Sequence, residues 1–162
     1  FEANGNIYSA SLKDFELVGM GTTAVVAIIT GGTLYTANVG DSRLYHFSKG
    51  ELKQITTDHS YVESLVSKGI ISKDEARNHP KKNVITRAVG SESMVDIDIF
   101  RTDVSKGDKI LLCSDGLYGF VSDEQISALL TKELDEAVHA LVALANENGG
   151  RDNITVAAAE IN

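Results

Sequence analysis

Between residues 22 and 56 the apolar positions fall in four short runs, TTAVVAIIT, TLYTANV, SRLYHFS and ELKQIT, each rich in β-branched or aromatic side chains. They are parted by Gly31-Gly32, Gly40-Asp41 and Lys49-Gly50, dipeptides suited to tight hairpin turns. The pattern predicts a four-stranded antiparallel meander forming a sheet. It breaks at residues 59–82, HSYVESLVSKGIISKDEARNHPKK, which are polar, carry a short helical period at Val62, Leu65 and Val66, and end near the only proline, Pro80. This stretch reads as an excursion from the sheet.

Strand patterns return at 94–102 and 108–113. Ser122 and Gln125 then have the spacing of a capping box, in which two side chains satisfy the free backbone donors at a helix start. A helical period follows in two segments, first at Ile126, Leu129 and Leu130, then at Leu134, Val138, Leu141, Leu144 and Ala145. Asn148-Gly149-Gly150 ends the second, and NITVAAAEI closes the chain as a strand. Two β-rich blocks followed by amphipathic helices predict an α+β fold, with stacked sheets and helices outside them.

With 162 residues, 43% of them hydrophobic, the chain can bury one sizeable core, so one domain or part of one is expected. A net charge of -8 argues against nucleic acid or an anionic membrane as the main partner and makes cations the more natural ligands. No apolar run approaches the roughly 18 residues that span a bilayer, and no basic-then-apolar signal pattern opens the chain. The single cysteine, Cys113, lies inside an apolar run, which excludes a disulfide framework and fits a reducing, cytoplasmic compartment. The chain begins at Phe1 and its only methionines are Met20 and Met94, so its natural start is expected upstream.

Four aspartates have both a structural and a chemical reading. Asp115, before a glycine at a strand end, suits a turn. Asp152 in GGRDNITV has the same reading, Asp58 in TTDHS suits a helix cap, and Asp41 in NVGDSRLY suits its hairpin. Yet Asp58, Asp115 and Asp152 each stand at a strand terminus, and the ends of several strands can converge. Carboxylates that converge repel one another unless cations lie between them, and all-oxygen sites of this kind suit magnesium or manganese. The spacing leaves open whether they meet.

Six strings in succession resemble the bacterial branch of the metal-dependent, type 2C serine/threonine protein phosphatases. They are GMGTT at 19–23, NVGDSRLY at 38–45, ITTDHS at 55–60, NVITRAVG at 83–90, GDKILLCSDGLYGFV at 107–121 and GGRDNITV at 149–156. The resemblance covers nearly the whole chain and implies a four-layer α-β-β-α sandwich of antiparallel sheets, with a binuclear metal centre at one end. It implies that Asp115 and Asp152 are ligands of Mn2+ or Mg2+, and that Asp58 serves a third, weaker ion. Residues 59–86 would be a mobile flap within the domain, with His79 and Arg87 at positions that affect substrate handling. Hydrolysis would use a water activated between two ions, with no covalent protein nucleophile, so Cys113 reads as a buried strand residue.

The family's upstream Arg-x-x-Asn-Glu-Asp and Asp-Gly-x-Gly-Gly-His strings are not in this sequence. The second of these supplies the aspartate that bridges the two metals. Residues 1–162 are therefore expected to be the C-terminal portion of one catalytic domain. Of the four histidines, His46, His59, His79 and His139, none has metal-ligand spacing, and His79 is the one weighed as functional. Arg43 is expected to pair structurally with Asp41 or Asp58 in preference to binding phosphate. Asn153 is expected to hold the turn that aims Asp152. Two functions remain open. The first is hydrolysis of phosphoserine and phosphothreonine in proteins, set against a bacterial serine/threonine kinase. The second is an inactive remnant that binds phosphoproteins.

Overall fold

The computed structural model describes residues 1–162. Helix α1 (Glu2–Ser11) and a 3-10 turn (Phe15–Leu17) precede β1 (Ala24–Thr30), β2 (Thr33–Val39), β3 (Arg43–Ser48) and β4 (Glu51–Gln54). Two short helices follow, α2 (Tyr61–Ser67) and α3 (Lys73–Arg77), and then β5 (Asp98–Asp103) and β6 (Lys109–Cys113). Helices α4 (Asp115–Tyr118), α5 (Asp123–Leu130) and α6 (Leu134–Glu147) lead to β7 (Val156–Glu160). The expected α+β class holds, with two antiparallel sheets. No helix is long and apolar enough to cross a membrane.

The meander is not one sheet. Strands β1 and β2 join β5 in the order β1-β2-β5, whereas β3 and β4 join β6 and β7 in the order β4-β3-β6-β7. The hairpins at Gly31-Gly32 and Lys49-Gly50 form as expected, and all four residues have positive φ, Lys49 included at 52°. Gly40-Asp41 fails as a hairpin because the Gly40 peptide is engaged elsewhere. Its N–H donates to His59 Nδ1 at 2.9 Å and its carbonyl accepts from the His59 N–H at 3.0 Å. Gly40 itself is obligatory, since its φ is 106° and a Cβ there would overlap Thr23.

The chain's contacts group into two compact units. The first comprises Phe1–Val26, Ala37–Asp41 and Thr57–Ile99. Within it Val39, Val89 and Val95 form a small core joined by Ile7, Ala24 and Ile97. Helix α1 has little apolar periodicity and is held instead through buried Asn4. The Asn4 amide donates to the Glu92 and Ser93 carbonyls at 3.0 and 3.2 Å and accepts from the Gly90 N–H at 2.7 Å.

The second unit comprises Ala27–Thr36, Ser42–Thr56 and Phe100–Asn162. Period two puts Tyr45 and Phe47 of β3 and Leu111 and Cys113 of β6 on one face, against Leu117, Val121, Ile126 and Leu130. Ala137, Leu141 and Ala145, four residues apart, are the buried stripe of α6. Both halves of the Ser122–Gln125 capping box are made. A second box, Ser72 with Glu75, starts α3.

On the other face of β3, His46 Nε2 lies 2.8 Å from Asp108 Oδ2, at the start of β6. Burial alone would push the Asp108 carboxyl up, but the Ser48 hydroxyl, the Ser105 N–H and His46 hold it below its ordinary value of 3.8. A depressed folded-state value means stability that is present above 3.8 and lost as pH falls through the lower folded value. Asp108→Asn should therefore lower stability at neutral pH and flatten its fall below pH 4. Urea unfolding between pH 3 and 7 checks this, and an unchanged acid limb would exclude Asp108 as its source.

Candidate metal centre

In the second unit, β6 and β7 pair antiparallel with Cys113 opposite Val156, which brings the residues just beyond β6 beside those just before β7. Ser114 closes this end. Its N–H donates to the Thr155 carbonyl at 3.1 Å, and its hydroxyl donates to the Asn153 carbonyl and accepts from the Thr155 N–H, each at 3.0 Å. Gly116 allows the approach. A Cβ there would overlap the Asn153 carbonyl oxygen and lie 2.8 Å from its carbon, so only glycine lets the two backbones meet.

The consequence is electrostatic. Burial pushes the Asp115 carboxyl up, and the negative charge of Asp152 pushes it further, while the amides of Gly116 and Asp115 offset only part. No lysine or arginine acts on Asp115 to relieve the repulsion. Two carboxylates close enough to repel one another are a hard-oxygen donor pair suited to Mg2+ or Mn2+. The residues thus fit a divalent cation and would supply only part of its shell, since no group of three or more His, Cys, Asp or Glu side chains in the chain is placed to hold a metal ion. The Asn153 N–H donates to Asp152 Oδ1 at 2.7 Å.

Two of the partners of Arg43 are aromatic residues. Its guanidinium lies 3.6 Å from the centre of the Tyr118 ring and donates to the Tyr45 hydroxyl at 2.9 Å. That hydroxyl is fully buried, which pushes its proton affinity well up, and it also reaches Asp123 Oδ1 at 3.4 Å. Cys113 is buried in the core, as its place in an apolar run predicts.

Asp58 and Asp41 lie in the first unit and are both buried, at 8% exposure. The residue after Asp58 is the anchor that sequence reasoning passes over. Because the Gly40 N–H donates to His59 Nδ1, the ring carries its proton on Nε2, 3.1 Å from Asp98 Oδ2. Arg87 Nη1 lies 2.9 Å from that same nitrogen, and since a guanidinium accepts nothing, its protons go to Asp98 Oδ1 at 2.7 Å and the Asp96 carbonyl at 3.3 Å. Burial would raise the Asp98 carboxyl, but these bonds from Arg87 and His59 hold it below the ordinary range. Buried Asn38 completes the frame, donating to the Gly40 and Thr57 carbonyls at 3.2 and 3.1 Å. No local pattern marks Asp98, which is 39 residues from His59 and falls inside the strand expected over 94–102.

Asp98→Ala leaves the His59 Nε2–H and the Arg87 guanidinium without their anionic acceptor. A buried donor without a partner costs about 1–3 kcal/mol, so a loss of that size is expected in urea unfolding. A loss below about 0.5 kcal/mol, the scatter of ordinary surface changes, would show that the network does not hold Gly40 and His59.

His79 is half-buried. It accepts from the Lys81 N–H at its Nδ1, 3.0 Å away, and its ring is 5.9 Å from that of Tyr61.

Residues 4–65 match the family model described as protein phosphatase 2C. The chain is 42% identical over 163 residues to the serine/threonine phosphatase Stp of Listeria welshimeri, an alignment covering 99% of this chain and 65% of that protein. It superposes on the crystal structure of the serine/threonine phosphatase Stp1 from Staphylococcus aureus with a TM-score of 0.94 at 39% identity, covering 98% of this chain and 63% of the other. It also superposes on the catalytic domain of the serine/threonine phosphatase PstP in complex with two manganese ions. There the TM-score is 0.88 at 38% identity, with 98% of this chain and 67% of the other covered. The chain thus spans about two thirds of the length of these proteins.

Proposed function

The chain belongs to the protein phosphatase 2C family, and we propose that the catalytic domain it helps to build hydrolyses phosphoserine and phosphothreonine esters in proteins. The observation that carries this reading is the meeting of Asp115 and Asp152 without a neutralising cation. Mn2+ or Mg2+ bound there would lower the pKa of a water and offset charge on the phosphoryl oxygens. Asp115 and Asp152 would hold the metal. Ser114 and Gly116 would keep the two carboxylates at a fixed separation, and Asn153 would orient Asp152. The relative with two manganese ions supports a pair of ions here, and Asp58 would serve a third. In the net reaction water oxygen bonds to phosphorus, the phosphorus–oxygen ester bond breaks, and the serine or threonine hydroxyl leaves with a proton.

Residues 59–86 would form the flap over which protein substrates are admitted, with His79 in contact with them. Arg87 is committed to Asp98, so its influence on substrates would pass through the His59 frame. Phosphorylated proteins are the partners this reading requires, with a serine/threonine kinase supplying them in cytoplasmic signalling. A binding module without turnover is not favoured, because the relatives are named as phosphatases.

The test is turnover of p-nitrophenyl phosphate and of a phosphothreonine peptide by the complete domain. Activity should vanish with EDTA and return with Mn2+, whereas residues 1–162 alone should bind Mn2+ weakly and turn over poorly. Turnover indifferent to EDTA would overturn the reading.

A further inference from the structure

The basic residues of this acidic chain are unevenly placed. Residues 61–82 carry five of its 15 Lys and Arg but only three of its 23 Asp and Glu. Lys68, Lys73, Arg77, Lys81 and Lys82 are all exposed, and none is in an ion pair within the chain, whereas Arg87, Lys109 and Lys132 are paired. Of the acids nearby, Glu75 is consumed by the helix cap. It accepts from the Ser72 N–H at 2.7 Å and the Ser72 hydroxyl at 2.8 Å, and these bonds, the backbone one foremost, hold its carboxyl below the ordinary range.

The C-terminal end of this stretch is also preorganised. Lys81 Nζ sits 5.1 Å from the centre of the Tyr61 ring, whose other neighbour is the His79 ring at 5.9 Å. A cation held on an aromatic face has less side-chain freedom to lose on binding than a free lysine. Because the Lys81 N–H donates to His79 Nδ1, the neutral ring carries its proton on Nε2, where no group of the chain accepts it. Arg77, Lys81 and Lys82, within three residues of His79 in the chain, add exposed cationic groups that are in no ion pair. The remaining residues are more acidic than the chain as a whole, so a long polyanion would be repelled once it ran past these few side chains. A short acidic segment would not.

We propose that Arg77, Lys81 and Lys82, with the Nε2–H of His79, form a docking surface for Asp and Glu side chains flanking the phosphorylated residue of a protein substrate. The inference rests on the phosphatase reading for its substrate, but its binding step can be tested without turnover.

Fluorescence anisotropy on the 162-residue chain should compare three labelled probes: a phosphothreonine peptide with Glu flanks, the same peptide with Gln flanks, and a DNA oligonucleotide of equal charge. The Glu-flanked peptide should bind about five- to ten-fold more tightly than the Gln-flanked one at low salt, as two or three exposed charge pairs allow. That advantage should shrink as salt screens it, and it should disappear in the Arg77→Gln/Lys81→Gln/Lys82→Gln variant. These side chains are exposed, so the variant should unfold at the wild-type temperature. Equal binding of the two peptides, an advantage that survives in the variant, or equally tight binding of the oligonucleotide would each overturn the proposal. In the complete domain the same variant should lower kcat/KM for the Glu-flanked peptide alone and leave p-nitrophenyl phosphate unchanged. If that domain proved inactive while the binding preference held, the phosphatase reading would fail and the docking surface would stand.

Discussion

In the complete catalytic domain, Asp115→Ala and Asp152→Ala are each expected to lower kcat by about 10³-fold or more, since metal ions contribute several kcal/mol of charge stabilisation and each 1.36 kcal/mol is tenfold in rate. The loss should fall on kcat, because the ligands act on the reacting phosphoryl group and not on distant parts of the substrate. Stability should change little. Asp115 is half-buried and Asp152 exposed, and neither belongs to the apolar core. Deleting Asp152 also removes the charge that disfavours ionised Asp115, so the metal-free variant should unfold at or slightly above the wild-type temperature. That combination separates a functional carboxylate pair from two turn-forming aspartates, whose loss would cost stability and spare the rate. Near-normal kcat in either variant would remove that residue from the metal site.

The second large effect is expected at Gly116. Valine or alanine there would drive a Cβ into the Asn153 carbonyl group and to 3.3 Å from Ile154 Cα, backbone atoms that no side-chain rotation can move aside. The segment after β6 and the segment before β7 would have to separate. Overpacking of this kind costs about 1–3 kcal/mol, and occasionally more. The separation would also spread Asp115 from Asp152, so Gly116→Ala should lose both stability and Mn2+-dependent turnover. Gly5 is the matched control. It lies within α1, where an added Cβ would meet nothing within 4 Å, so Gly5→Ala should be neutral or gain up to about 1 kcal/mol from helix propensity. Thermal unfolding and p-nitrophenyl phosphate turnover of both variants decide the matter. A Gly116→Ala protein as stable and active as Gly5→Ala would refute the role of that close approach.

Local chemistry in the sequence determined much of the secondary structure. The strands of β1 to β4, the turns at Gly31-Gly32 and Lys49-Gly50, the Ser122–Gln125 box and the buried stripe of α6 all depend on neighbours within a few residues, where propensity and period act directly. The six-string resemblance likewise pointed to Asp115 and Asp152 without any geometry. What the tertiary structure decided is pairing between distant segments. Period two states which side chains share a face but not which strand lies alongside, and so the meander divides between two sheets. The β6–β7 register joins Ser114 to Asn153 across 39 residues and makes a charge pair of two aspartates that each read alone as turn residues. The His59–Asp98 contact spans the same distance, with a buried ring whose proton position is set by one backbone amide. Such contacts depend on loop closure and three-dimensional register, which are properties of the folded chain and leave no periodic trace in its residues.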